Sequence, residues 1–219
     1  MRPLVIFGLG DIAQIAKYYF DTDSDYTPVA FTVESKYMVG DTFEELPIVP
    51  FEELLNQYPP GEVYVFIAVS YADMNRLRER IFYALKDKGY ALASYISSSC
   101  TYRSQYPPGE NAFIFEDNTI QPFVKIGDNV TLWSGNHIGH HSTIESHNFV
   151  SSHVVISGHC HINSHCFLGV NATLAHEVTL AAGTLLGAGV VISKNTDEDG
   201  VYVSARPTKI SKSSSEIKL

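Results

Sequence analysis

The sequence predicts an α/β protein with two unlike halves, a small doubly wound parallel sheet followed by a parallel β-helix. Over the first hundred residues, short apolar runs alternate with amphipathic stretches. The pattern changes after Pro107-Pro108-Gly109, and from Ile114 to Ile192 every sixth residue is aliphatic without a skip.

In the first half, Leu4 to Phe7 reads as a buried strand closed by Gly8-Leu9-Gly10. Asp11 can cap a helix running through Ile12, Ile15 and Ala16. Val29 to Val33 is a second strand, and Phe51 to Asn56 a short helix stopped by Pro59, Pro60 and Gly61. Val63 to Val69 is almost wholly apolar, as a parallel strand covered on both faces requires. Ala72 to Lys88 carries helical spacing at Met74, Leu77, Ile81 and Leu85, and Gly89 ends it. Ala91 to Ile96 completes the series, and strands alternating with helices imply a parallel sheet.

In the second half the aliphatic positions are Ile114, Ile120, Ile126, Leu132, Ile138, Ile144, Val150, Ile156, Ile162, Leu168, Leu174, Leu180, Leu186 and Ile192. Four residues after most of them stands a small or modest side chain, among them Val130, Ser142, Val154, Cys160, Cys166, Ala172, Val178, Thr184 and Val190. A helix repeats every ~3.6 residues and a strand every two. A period of six fits neither, whereas it suits a parallel β-helix in which each hexad is one flat side and three sides close a coil. The aliphatic residue then points to the axis, and the small one fits beside the corner.

Bulk properties narrow the function. The formal net charge of -9 argues against a surface that tracks nucleic-acid phosphates. No apolar run approaches the ~20 residues of a membrane span. The opening Met-Arg-Pro-Leu-Val-Ile-Phe breaks at Gly8, too early for a signal peptide. Cys100, Cys160 and Cys166 form an odd set without a CxxC pair, so no disulfide framework or zinc ribbon is expected. The expectation is a reduced, cytoplasmic protein.

The hexad array resembles the left-handed β-helix of the hexapeptide-repeat acyltransferases. A Rossmann-like α/β domain (residues 1–100) ahead of such a helix (residues 101–219) is similar to one branch. That branch holds the sialic acid O-acetyltransferase-like proteins and the N-acetyltransferases of nucleotide-linked amino sugars. The resemblance runs from Gly8 to Lys209. It implies acetyl-coenzyme A as co-substrate, a nucleotide-linked sugar as acceptor, a homotrimer, and a place in cell-surface polysaccharide biosynthesis. N-acetylation and O-acetylation both stay open, as do a non-catalytic scaffold and, from the first half alone, an NAD-dependent oxidoreductase.

All nine histidines lie between His137 and His176. Imidazole titrates near neutral pH and suits a base that assists attack on a thioester. Stacking at a spacing of eighteen puts His141 above His159 and His147 above His165. No metal is expected, because ligands must converge rather than only stack. Most of the nine are read as structural or solvent-facing.

Laid on Ile138-Gly139-His140-His141, the branch's motif puts the catalytic histidine at His140, with His141 where an acidic partner usually stands. Either Glu145 substitutes, or the base is weaker, or His141 is itself the base. The resemblance puts cofactor contacts at Phe149, Gly158, Val170 and Ala188, with Phe149 in place of a frequent second histidine. Gly158 is a candidate oxyanion donor, since a glycine amide can approach a carbonyl closely. Ala205-Arg206-Pro207-Thr208-Lys209 resembles the branch's Gly-x-Pro-Ala-Lys loop, so Arg206 and Lys209 are candidate partners for cofactor phosphates. Gly8-Leu9-Gly10-Asp11-Ile12-Ala13 fits GxGxxA, with Glu34 at the end of the second strand. In the branch this turn holds the substrate's nucleotide, and a loop ending in Asn and Arg puts Asn75 and Arg78 near the substrate.

Overall fold

A computed structural model describes residues 1–217. The first half forms β1 (Arg2–Phe7), α1 (Asp11–Thr22), β2 (Tyr26–Val33), β3 (Thr42–Phe43), β4 (Leu46–Pro50), α2 (Leu54–Gln57), β5 (Tyr64–Ile67), α3 (Arg76–Asp87) and β6 (Ala91–Leu92). The sheet order is β3-β4-β2-β1-β5-β6, parallel throughout except for the β3–β4 hairpin. Alternation along β1 explains the layers. Leu4 and Ile6 pack with Ala13, Ala16 and Phe20 of α1, while Val5 and Phe7 pack with Ile81, Phe82 and Leu85 of α3.

Four local expectations change. The hairpin β3–β4 has two short strands with no alternation to reveal them. Asp11 is the first helical residue of α1, and Gly10 is the cap, with no side-chain hydrogen bond. The stretch read as one strand from Ala91 to Ile96 is two, because Tyr95–Ile96 pairs with Phe113–Ile114 of the β-helix. Helix α3 begins four residues later than its spacing suggests. Asp73, Met74 and Asn75 all have positive φ, of 52°, 47° and 67°, and form a left-handed turn ahead of it. Each such residue costs roughly 1–2 kcal/mol, so the turn needs support from outside itself.

The second half is three parallel sheets of two-residue strands, which fit a left-handed β-helix of hexapeptide repeats. One face runs from Thr101–Tyr102 through His137–Ile138 to Val191–Ile192, a second from Lys125–Ile126 to Thr179–Leu180, and a third from Tyr95–Ile96 to Val201–Tyr202. All fourteen hexad aliphatics are buried and form one core with the small residues beside them. Among those smaller positions, Asn118 and Asn136 each accept the main-chain N–H of the residue eighteen places on, from Asn136 and Val154.

The corners have their own rule. From Asn111 to Gly189, every sixth residue has positive φ, fourteen in succession. Five consecutive ones are His141, His147, His153, His159 and His165, between 57° and 63°. Histidine, asparagine and aspartate tolerate this region better than most residues. More than half of the nine histidines are therefore explained by backbone geometry.

The halves are joined by α3. The Arg78 guanidinium is buried at 1% exposure and donates to Thr131 Oγ1 (2.6 Å), to the Asn148 carbonyl (2.9 Å) and to Asn75 Oδ1 (3.1 Å). The Asn75 amide donates to the Cys166 carbonyl at 3.2 Å. These bonds hold the left-handed turn in place. Among the described residues, no helix is long and apolar enough to cross a membrane.

Candidate active site

A first cavity of about 410 Å³ opens at the C-terminal ends of β1, β2 and β5, where chain order reverses in the sheet. Gly8, Gly10 and Glu34 all line it. The two glycines do different things. At Gly8, with φ of +129°, a Cβ would lie 2.6 Å from the Ala68 carbonyl oxygen, so glycine is required by the fold. At Gly10 a Cβ would meet nothing within 4 Å, so the space above it faces the cavity. The amides opening α1 face the same region, an arrangement that suits a phosphate group. The Glu34 carboxylate is held below its usual range by a hydrogen bond from Arg80 at 3.1 Å, opposed by partial burial and aided by Lys36.

Asn75 and Arg78 line neither this cavity nor the next. Their side chains turn to the β-helix, and burial lowers the Arg78 pKa to about 9. Both residues, expected beside the substrate, bond here across the junction of the two halves. Sequence spacing could not reveal this, because their partners lie at Thr131, Asn148 and Cys166.

A second cavity, also about 410 Å³, lies between the halves. Its walls include Tyr71, Trp133, Phe149 and Phe167, with Val170 and Ala188 at the corner beyond. Phe149 is buried at 2% exposure and stacks on Phe167 at 5.7 Å. Ile12 lines both cavities, so they are neighbours. Ser204 donates to the Ala188 carbonyl at 3.2 Å and starts the exposed tail that carries Arg206 and Lys209. Trp133 and Tyr71 were not anticipated from sequence.

His140 and Gly158 sit at a different corner. The His140 ring lies over Gly158, where a Cβ would come within 2.8 Å of it. The Gly158 N–H donates to no described residue, although the residue is buried. That amide is therefore free to meet a ligand at the corner where the His140 ring packs. His140 Nδ1 stands 3.1 Å from His141 Nδ1, and the His140 amide is held by Gln121 at 2.9 Å. Glu145 does not substitute for the missing acid, since its carboxylate faces His161 at 3.5 Å. Partial desolvation, then the neighbouring His159 and His140, lower the pKa of His141. A neutral His141 can accept a hydrogen bond from His140 Nδ1–H, which leaves His140 Nε2 free as a proton acceptor. The thiols supply no competing nucleophile, as burial pushes Cys100 and Cys166 up to about 11.

Residues 123–158 match the bacterial transferase hexapeptide family (six repeats). No curated protein sequence matches the chain significantly. Among solved structures, the chain is similar to a single-residue variant of perosamine N-acetyltransferase from Caulobacter crescentus, in complex with CoA and GDP-perosamine. The identity is 21% and the TM-score 0.80, over 93% of this chain and 94% of that one. It is similar to the acetyltransferase domain of PglB from Neisseria gonorrhoeae in complex with acetyl coenzyme A, at 19% identity and TM-score 0.79, over 93% and 96%. WeeI from Acinetobacter baumannii matches at 17% identity and TM-score 0.79, over 93% and 97%. The chain thus carries the hexapeptide repeat of bacterial transferases, and its whole two-part fold is that of these three structures.

Proposed function

We propose that the protein is an acetyl-coenzyme A-dependent N-acetyltransferase acting on the amino group of a nucleotide-linked sugar. The observation that carries this reading is the His140 ring packed over Gly158, whose N–H donates to no described residue. The pair supplies a proton acceptor beside an oxyanion donor, which direct acyl transfer needs. In the proposed step the sugar amine attacks the thioester carbonyl and His140 Nε2 takes the amine's proton. The Gly158 N–H stabilises the developing oxyanion. Collapse then releases the coenzyme A thiolate, which recovers the proton from His140. His141 fixes the His140 tautomer in place of a carboxylate.

Residues 1–100 bind the nucleotide, with its phosphates at Gly10 and the start of α1. The sugar extends past Ile12 into the aromatic second cavity. Residues 101–219 carry the acyl transfer. Phe149, Val170 and Ala188 flank one corner of the coil, whereas His140 and Gly158 occupy another. A cofactor touching both sets lies between two chains, which favours the homotrimer. Arg206 and Lys209 are proposed to meet the cofactor's phosphates. The perosamine N-acetyltransferase and the PglB domain, which share the fold, hold CoA and acetyl coenzyme A in their structures.

The test is thiol release from acetyl-coenzyme A against UDP-, dTDP- and GDP-linked amino sugars. Turnover on one of them, reduced by about 10²-fold or more in both His140→Ala and His140→Asn, supports the reading. Turnover that survives both substitutions rejects His140 as the base. Release only with sugars that lack an amine moves the reaction to O-acetylation, and no release with any sugar indicates a scaffold.

A further inference from the structure

The corner that carries His140 brings together more imidazoles than one base requires. His141 and His159 are successive corners eighteen residues apart, stacked at 4.8 Å with their rings 6° from parallel. Rings that only stack send their nitrogen atoms out side by side. His140 changes this, because Gly158 has no side chain to hold its ring away. Its ring stands at 88° to His141 and 87° to His159. One ligand nitrogen from each of the three lies within 4.8 Å of the others, and the His140 and His141 Nδ1 atoms are 3.1 Å apart. His176 closes another side, its ring 5.3 Å from that of His159. All three histidines are exposed, so an ion can reach them.

We propose that His140, His141 and His159 form a binding site for a divalent transition metal ion, zinc by preference, with a fourth position left open. Zinc–nitrogen bonds of about 2.0–2.1 Å put two ligands of a tetrahedral ion about 3.4 Å apart, close to the observed pair. Small rotations of the exposed His159 ring bring the third nitrogen in. Three neutral imidazoles suit zinc, copper, nickel or cobalt, and disfavour magnesium and calcium. An ion on His140 Nδ1 displaces the proton there and leaves the ring's one hydrogen on Nε2. That nitrogen can then no longer accept a proton, so an ion and the proposed acyl transfer exclude each other at His140. The site itself rests on the geometry of the three rings and not on the acyl-transfer reading.

The experiment titrates cobalt(II) into the tag-free full chain at pH 7.5, following the visible absorption of tetrahedral cobalt, and then displaces it with zinc. One ion per chain is expected. His159→Asn and His141→Asn keep the corner conformation, since asparagine adopts positive φ readily. Losing a residue that merely orients a ligand costs about 10–100-fold in affinity, so each variant is expected to bind at least about tenfold more weakly. His153→Asn, at a corner outside the cluster, is expected to bind as the wild type does. Absence of saturable binding by the wild type, or wild-type affinity in either cluster variant, overturns the site. Neither result bears on whether thiol is released, so the two readings fail separately.

Discussion

Two pairs of histidines hold the same place in the repeat and have opposite chemistry. His141 and His159 form one corner pair, His147 and His165 the next. In each pair the rings stack eighteen residues apart, at 4.8 and 5.4 Å, and all four residues have φ near +60°. Helix α3 covers only the second pair. Phe82 and Tyr83 pack against His147, Asn129 bonds its Nδ1 at 2.9 Å, and Glu79 lies 3.0 Å from His165. Burial, opposed by Glu79, lowers the His147 pKa to about 4. The first pair is left open beside His140. The repeat determines where a histidine stands, and whatever packs on that corner determines what it can do.

The comparison can be broken most severely by loosening α3. Arg78→Ala strips a donor from Thr131, Asn148 and Asn75 and leaves a void, so a loss of about 3 kcal/mol or more is expected in urea unfolding. Acid acts next. The folded His147 pKa lies near 4, below the ~6.5 of an unfolded chain. The unfolded state therefore binds the proton first as pH falls. Its contribution to stability is complete above ~6.5 and drains away towards pH 4, by up to about 3 kcal/mol. Melting curves across that window should flatten in His147→Asn. The conformational part of the comparison is tested at the exposed corner His153. His153→Ala is expected to cost roughly 1–2 kcal/mol in thermal unfolding, because alanine resists positive φ, whereas His153→Asn costs much less. The smallest effect belongs to the open pair. His141→Asn should leave stability nearly unchanged and alter its pH dependence far less than His147→Asn does, since the His141 residue is exposed.

How much of this could be read in advance follows the same division. The hexads were legible because a coil repeats its environment every eighteen residues, and each repeat reports it again. The corners were legible too, one place ahead of the small residues. Three residues before twelve of the fourteen aliphatics stands Asn111, Asp117, Asn129, Gly135, one of five histidines, Asn171, Gly183 or Gly189, a composition that marks positive φ, and only Phe123 and Glu177 depart from it. Other features depend on distant partners and left no periodic trace. Arg78 looks like the polar face of a helix until Thr131 and Asn148 are placed beside it. The turn at Asp73 to Asn75 contradicts its own local spacing and is held by Cys166, ninety-one residues from Asn75. The convergence of His140 on His141 and His159 depends on the missing side chain of Gly158, which spacing alone does not reveal.

The clamp made by α3 also limits how this molecule can change length. Arg78 and Asn75 together grip three successive coils, at Thr131, Asn148 and Cys166. Adding one residue within a coil would turn every later aliphatic away from the axis. Adding a whole coil of eighteen would restore that register, but between Thr131 and Cys166 it would pull the grip apart. Beyond the last gripped coil the same insertion meets no such restraint. Growth or loss of whole coils is therefore expected to be tolerated towards the C-terminal end, where the molecule can lengthen like a stack without disturbing the corner that carries His140.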